Sequence, residues 1–398
     1  MTIKTDTLKR RYELDWLRVI AILVVFVYHS TRIFTVDDWH VKNFPLYWQV
    51  DVFGDILCIW MMPIIFVISG ASLFYAMGKG GFWLMLKDKV LRLLIPVVVG
   101  VFSHISFQVY IERVNHGQFS GSYFSFMPHY FNGFYTEVGE TGNFSFMGLH
   151  LWYLVVLFVL ILASYPLLRW LKGTGSKLLQ KITNPLASPA GFFLLAFPLM
   201  LIDAFLSDAG LNELDPGGWG MLNYIWFFLA GFLIIANDRL RDSMLRRRWY
   251  HLGLAIFFGV ILLYMTLTNG TSAYQSVFES IDDLIRAMCS FSLILASLGL
   301  GLWKLNFTSP ALKYANEAVL PFYILHQTVL VVVGFFVVGW NLPDFLKYIL
   351  IVGISFPVIL MTYELLIRRS SLLRFLFGMK SIPAQKVVKM AEAGAQAD

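Results

Sequence analysis

Apolar runs of about 20 residues recur along this chain, each broken by a short polar stretch. That is the length a helix needs to cross the roughly 30 Å hydrocarbon core of a bilayer. In lipid only a backbone that satisfies its own hydrogen bonds can span, so each run predicts a helix. About ten spans are expected, near residues 17–36, 52–77, 90–111, 150–168, 191–206, 222–236, 251–268, 284–303, 317–338 and 345–367. The fifth and sixth are short for a full crossing, which leaves tilted, re-entrant or partly buried segments as their alternative. The expected fold is an all-α polytopic membrane helix bundle, one domain over residues 1–380 with a disordered cytoplasmic tail at 381–398.

The polar stretches alternate in sign. One set is basic: Lys4, Lys9, Arg10 and Arg11; then Lys79, Lys87, Lys89 and Arg92; Arg169 and Lys172; Arg246, Arg247 and Arg248; Arg368 and Arg369. The intervening set leans acidic, with Asp37, Asp38, Glu137, Glu140, Asp208, Glu213, Asp215, Glu279, Asp282 and Asp283, and holds Lys42, Arg113 and, at the head of the last span, Lys347. Basic loops stay in the cytoplasm, so this alternation predicts both termini inside. A basic start before an apolar run also fits a signal peptide, but "YHSTRIF" offers no small-residue cleavage site, and the segment reads as a retained anchor.

Composition agrees with the membrane reading: 58% of residues are hydrophobic and 14% charged, against about 25% charged in a soluble domain. The net charge of +6 is spread among loops and does not suggest nucleic acid. Cys58 and Cys289 both fall in apolar runs, which supports neither a disulfide framework nor a metal site. The outer connection near 112–149 is rich in Phe, Tyr, Gly and Ser. Such a surface suits stacking against sugar rings, or serves as an interfacial aromatic belt.

The candidate chemistry starts in "LDWLRVIAILVVFVYHS". Arg18 and His29 lie eleven residues apart, so at about 100° per residue they share a helix face, roughly 16 Å apart along the axis. Asp15 precedes Arg18 by one turn on that face. Arg18 is either a snorkelling anchor or a working cation, and His29 either an interhelical hydrogen-bonder or a reactive group. Ionisable side chains within spans are functional candidates by default. Others follow: Ser69 and Gly70 in "FVISGAS", Arg92 at the inner end of the third span, and His104, Asp203, Arg286, His326 and Glu364 in or near spans. No G-x-S-x-G elbow, Walker A loop or Rossmann fingerprint is present, and no His/Cys cluster suggests a metal.

At these residues the chain resembles the acyltransferase-3 family of multipass membrane enzymes. "LDWLRVIAILVVFVYH" resembles its opening signature, with the arginine–ten residues–histidine spacing at Arg18 and His29. "FVISGASLF", the basic residue Arg92 before the proline, "HLWYLVVLF" from His150 and "LPFYILHQTVL", which holds His326, resemble its later motifs in order. The likeness spans about residues 15–367, and the "HLWYL" form looks most like the branch that succinylates periplasmic glucans.

The resemblance implies transfer of an acyl group, acetyl or succinyl, from cytoplasmic acyl-CoA to a hydroxyl of an envelope carbohydrate across a bacterial inner membrane. It implies acyl-CoA as co-substrate, with no bound cofactor, metal or nucleic acid, and membrane lipid as surroundings. His29 is then the catalytic base, Arg18 and Arg92 bind the donor, and Asp15, Ser69, His150 and His326 support them. A secondary transporter or lipid flippase would also use buried charges, but no matched pair of broken segments points to one.

Overall fold

The computed structural model describes residues 10–77, 81–207, 217–268 and 275–380. The expected tail at 381–398, and Lys4, Lys9, Lys79, Asp208, Glu213 and Asp215, lie outside the described residues, as does the side chain of Glu279. Among the described residues the secondary structure is helical, with one isolated bridge between Phe134 and Phe144.

The first apolar run forms α1 (Tyr12–Thr31). The second forms α2 (Trp48–Cys58) and α3 (Met61–Ala76), with Pro63 in the first turn of α3, where a proline needs no hydrogen-bond partner. The third comprises α4 (Phe82–Lys89), a π-helical turn at Val90–Leu94, α5 (Ile95–Val101) and α6 (His104–Asn115). After α7 (Tyr123–Tyr130) in the long outer connection comes α8 (Trp152–Lys172). The chain continues through α9 (Ser176–Thr183), α10 (Gly191–Ile202), α11 (Met221–Ile235) and α12 (Asp238–Arg246). It ends with α13 (Arg248–Thr268), α14 (Gln275–Lys304), α15 (Pro310–Val337), α16 (Asp344–Thr362) and α17 (Ser371–Leu376).

Among the described residues, eight helical stretches are long and apolar enough to cross a membrane, and nine if α11 with α12 counts as one bent span. The ten expected runs are all helical, but the fifth and sixth fall short of full spans. The apolar part of α10 and its continuation is Phe193–Leu206. At its end Asp203 accepts a hydrogen bond from Asn223 Nδ2 at 2.7 Å. At the end of α11 the sequence turns to "NDRLRD", which hydrocarbon does not accept. Asn237 caps α12 by accepting from the Arg239 amide at 2.9 Å, and the chain bends by 96°.

The chain forms two compact units, each with its own core. One draws on the chain up to Asp37, on Leu46–Met85 and on Val159–Asn316; the other on Asp38–Pro45, Leu86–Phe158 and the chain from Glu317 on.

In the first unit α3 lies against α11 at backbone distance. A Cβ on Gly70 would sit 1.9 Å from the Phe228 carbonyl oxygen, and one on Gly231 would sit 2.0 Å from that of Val67. Without a hydrophobic driving force between helices in lipid, such close approach is what holds them. Phe66 stacks on Tyr224 and Phe74 meets Phe232 edge-on along the same seam. In the same unit α13 and α14 run antiparallel, with Gly299 at Arg248 and Cys289 at Ala255.

In the second unit a buried cluster of Val109, Phe126 and Tyr130 carries the outer connection, with Tyr130 donating to the Val101 carbonyl at 2.9 Å.

Gly70→Ala and Gly231→Ala should each destabilise the protein by about 1–3 kcal/mol or more, since the added methyl has only backbone to meet. Gly253 faces nothing within 4 Å, so Gly253→Ala should be neutral or slightly stabilising. Thermal unfolding of the three variants in detergent checks the contrast.

Candidate functional site

In the first unit the expected stripe on α1 is present. Arg18 Nη1 lies 3.5 Å from Asp15 Oδ1, and Asp15 in turn takes Arg10 at 2.8 Å. The hydroxyl that receives Arg18 is Ser72, at 3.0 Å from Nη2. Ser69 donates to the Ile65 carbonyl one turn back at 2.8 Å. One turn beyond Ser72, Tyr75 accepts from Arg11 Nη1 at 3.0 Å. Two arginine-to-hydroxyl bonds therefore join α1 to α3 side by side. His29 is half-buried on α1 beside Tyr28, whose ring it meets edge-on at 5.2 Å. Eleven residues separate it from Arg18, which sets the two about 16 Å apart along the helix axis.

In the second unit three more expected residues are found. Arg92 sits inside the π-helical turn, and its neighbour in sequence explains that turn. Pro96 has no N–H for the Arg92 carbonyl and its ring crowds that oxygen, so the chain takes an extra residue and Ile95 N–H bonds Val90 instead. Arg92 Nε pairs with Asp88 Oδ1 at 2.8 Å. Its carbonyl is approached by Gly378, where a Cβ would sit 2.6 Å away, and this glycine also holds a φ of +67°. A side chain at Gly378 is excluded on both counts.

His150 and His326 come together, with ring centroids 4.9 Å apart and planes at 83°. His150 Nε2 lies 3.0 Å from the Ile324 carbonyl and must donate, which leaves Nδ1 as the basic nitrogen. His326 Nδ1 faces the Tyr323 carbonyl, so its basic nitrogen is Nε2. The Tyr323 hydroxyl donates back to the His150 carbonyl. His104 stands 6.4 Å from His150. Among the described residues no group of His, Cys, Asp or Glu is placed to hold a metal ion.

Sequence reasoning missed a polar knot in this unit. His40 Nδ1 meets Glu112 Oε2, and both side chains are fully enclosed. His40 Nε2 accepts from Gln108 at 2.9 Å and Gln327 at 3.0 Å, and Thr328 donates to Gln108 at 3.1 Å. Glu112 also accepts from the Tyr135 hydroxyl at 2.8 Å and the Gly139 amide at 3.0 Å. Burial, with the Glu112 charge beside it, pushes the Tyr135 phenol well above its ordinary pKa, so it remains a donor. Arg113 holds the same loop through Asn143, Gln118 and the Gly142 carbonyl. The signal was there: Glu112 and Arg113 are adjacent charges closing an apolar run, and Gln327 follows His326 in a run otherwise apolar.

The knot fixes a loop with bare aromatic rings. In that loop Phe131, Phe134 and Phe146 are each more than half exposed, as is Phe102 at the end of α5. Phe144 lies between them, 5.7 Å from Phe131 and 6.2 Å from Phe102.

A family model described as an acyltransferase domain, of the acyltransferase-3 type, matches residues 11–364. The chain is also 26% identical over 399 aligned residues to proteins named "Glucans biosynthesis protein C" from Salmonella paratyphi B, Salmonella dublin and Salmonella enteritidis, covering 93% of this chain and 95% of theirs. No solved structure matches.

Glu112→Ala should cost about 3–5 kcal/mol, because it strands buried His40 and Arg113 without their carboxylate. The loop over residues 116–148 should become open to protease at the same time. Thermal inactivation and limited proteolysis of the purified protein read both effects.

Proposed function

The chain belongs to the acyltransferase-3 family of multi-pass membrane acyltransferases, and on that footing we propose that it moves an acetyl or succinyl group from acyl-CoA to a carbohydrate hydroxyl. The donor is cytoplasmic, and the acceptor is an extracytoplasmic glucan or related envelope polysaccharide at a bacterial inner membrane. The observation that carries the reading is α1 itself. One rigid helix bears an anchored guanidinium near its start and an imidazole about 16 Å further along.

A CoA donor brings phosphates to the inner mouth. Arg18, steadied by Asp15 and Ser72, offers them a planar donor set of the kind that binds phosphate in pairs of hydrogen bonds. The stretched pantetheine arm then reaches along α1 toward His29. There the imidazole takes the proton of the acceptor hydroxyl, whose oxygen attacks the thioester carbonyl. The C–O bond of the new ester forms, the C–S bond breaks, and the proton passes to the departing CoA sulfur. An imidazole suits this work because the ordinary pKa of histidine lies near working pH.

The acceptor side draws support from the loop over 116–148. Its exposed phenylalanines offer flat apolar surface to sugar rings, and the similar proteins are named for glucan biosynthesis. This reading places both termini in the cytoplasm and that loop outside, as the basic and acidic loops imply.

His29→Gln keeps shape and hydrogen bonding but cannot relay a proton. It should lower acyl transfer by about 10²–10⁴-fold, the range of a general base, while the protein inserts and binds acyl-CoA as before. Near-normal turnover in that variant would move the role to another group. Arg18→Ala should raise the apparent KM for acyl-CoA, with Arg18→Lys restoring it in part and Arg92→Ala acting more weakly in the same direction. Consumption of acetyl-CoA or succinyl-CoA by membranes, with mass spectrometry of the glycans, measures all of these. A cytoplasmic tag signal from the 116–148 loop would overturn the two-sided scheme.

A further inference from the structure

The first unit contains a groove of about 570 Å³ walled by α2, α13 and α14, which the acyl-transfer reading does not use. Its walls are apolar: Ile56, Ile256, Val260, Leu263 and Leu293 among others. Along α13 it runs from Leu252 to Thr266, fourteen residues or about 21 Å. One leaflet of hydrocarbon is about 15 Å deep, so the groove is long enough to hold a lipid chain.

Two further features separate it from an ordinary gap between helices. Gly259 forms part of its wall, and a Cβ there would meet only Cys289 Sγ at 3.7 Å, an ordinary contact. Backbone lies against Gly70 and Gly231, whereas Gly259 has open space beside it on the groove side. A glycine inside a helix is unfavourable by roughly 0.5–1 kcal/mol relative to alanine. What its missing side chain preserves is open space on the groove wall.

The second feature is the charge at one end. Because α13 and α14 are antiparallel, with Gly299 at Arg248 and Cys289 at Ala255, Asp282 falls near the Thr266 end and Arg286 about one turn further into the groove. Asp55 of α2 joins them, and Arg286 acts electrostatically on both carboxylates. Arg286 is itself fixed, donating to the Gly218 carbonyl with its guanidinium 4.6 Å over the Trp219 ring. The groove thus ends in one guanidinium and two carboxylates.

We propose that this groove is a specific site for a zwitterionic phospholipid with an ammonium head, its chain along α13, its phosphate at Arg286 and its ammonium at Asp55 and Asp282. A chain leaving bulk lipid for an apolar groove gains little, since lipid tails are as apolar as leucine. Selection therefore rests on the head. A phosphoglycerol head brings a net negative charge to two carboxylates and is disfavoured. A phosphoethanolamine head matches both signs.

The test uses the full-length protein in detergent, stripped of lipid and titrated with phosphatidylethanolamine or phosphatidylglycerol under native mass spectrometry. Wild type should hold one phosphatidylethanolamine per chain and prefer it by roughly tenfold, an exposed ion pair giving up to about 1 kcal/mol each. Gly259→Leu should abolish that binding, and Gly253→Leu, on the same helix but facing open space, should not. Val260→Trp serves as a second plug should Gly259→Leu fail to fold. Asp55→Asn with Asp282→Asn should keep a bound lipid and lose the preference. Equal binding of the two lipids by wild type, or full binding in both plugged variants, overturns the proposal.

Discussion

A polar group that cannot reach water must find its partner within the protein, and in hydrocarbon an unmet backbone group costs several kcal/mol. The helices follow from that rule, and so do their irregularities. Where Pro96 denies the Arg92 carbonyl its usual partner, the helix adds a residue as a π turn and bonds Val90 instead. Where "NDRLRD" would enter lipid, the chain is capped and bends. The buried charges obey it as well: Glu112 has His40, Arg113, Tyr135 and Gly139 about it, and Arg374 has Glu317 at 2.8 Å.

The same rule positions the candidate donor cation. In α3, Phe66, Val67, Gly70 and Phe74 share the face turned to α11, and glycine there permits backbone contact. Ser72 lies two residues beyond Gly70, about 200° round the helix, and so faces the opposite way, where it accepts from Arg18. The close packing of α3 on α11 and the tether on Arg18 are two faces of one helix. A bulkier residue at 70 would therefore disturb the guanidinium without touching it.

Much of this was legible in the sequence. The apolar runs located every long helix among the described residues, and the arginine–histidine spacing placed Arg18 and His29 on one face of α1. Ser72 was harder, because serines 69 and 72 share the same three-residue spacing and only the phase of α3 against α1 selects between them. The His40–Glu112 knot was harder still. Its members come from residues 40, 108, 112, 135 and 327, and sequence periodicity carries no information about contacts so far apart. The short runs at 191–206 and 222–236 were visible as apolar, but their lengths are set by Asp203 and Asn237, polar residues whose partners lie on other segments.

Two histidine environments now compete for attention, and physical chemistry separates them. His150 and His326 each commit one ring nitrogen to a backbone carbonyl and face each other edge-on, with almost no exposed surface. Charging either ring would place a cation against another imidazole in a dry interior, where an unpaired charge is strongly disfavoured. That geometry rewards neutral, fixed tautomers and so suits residues that hold helices in register. A general base must alternate between neutral and charged forms on every turnover. The proposed base, His29, is instead half-buried, on a helix whose guanidinium is paired with a carboxylate and a hydroxyl. The division is between a dry pair in the second unit and a half-buried imidazole on α1 in the first.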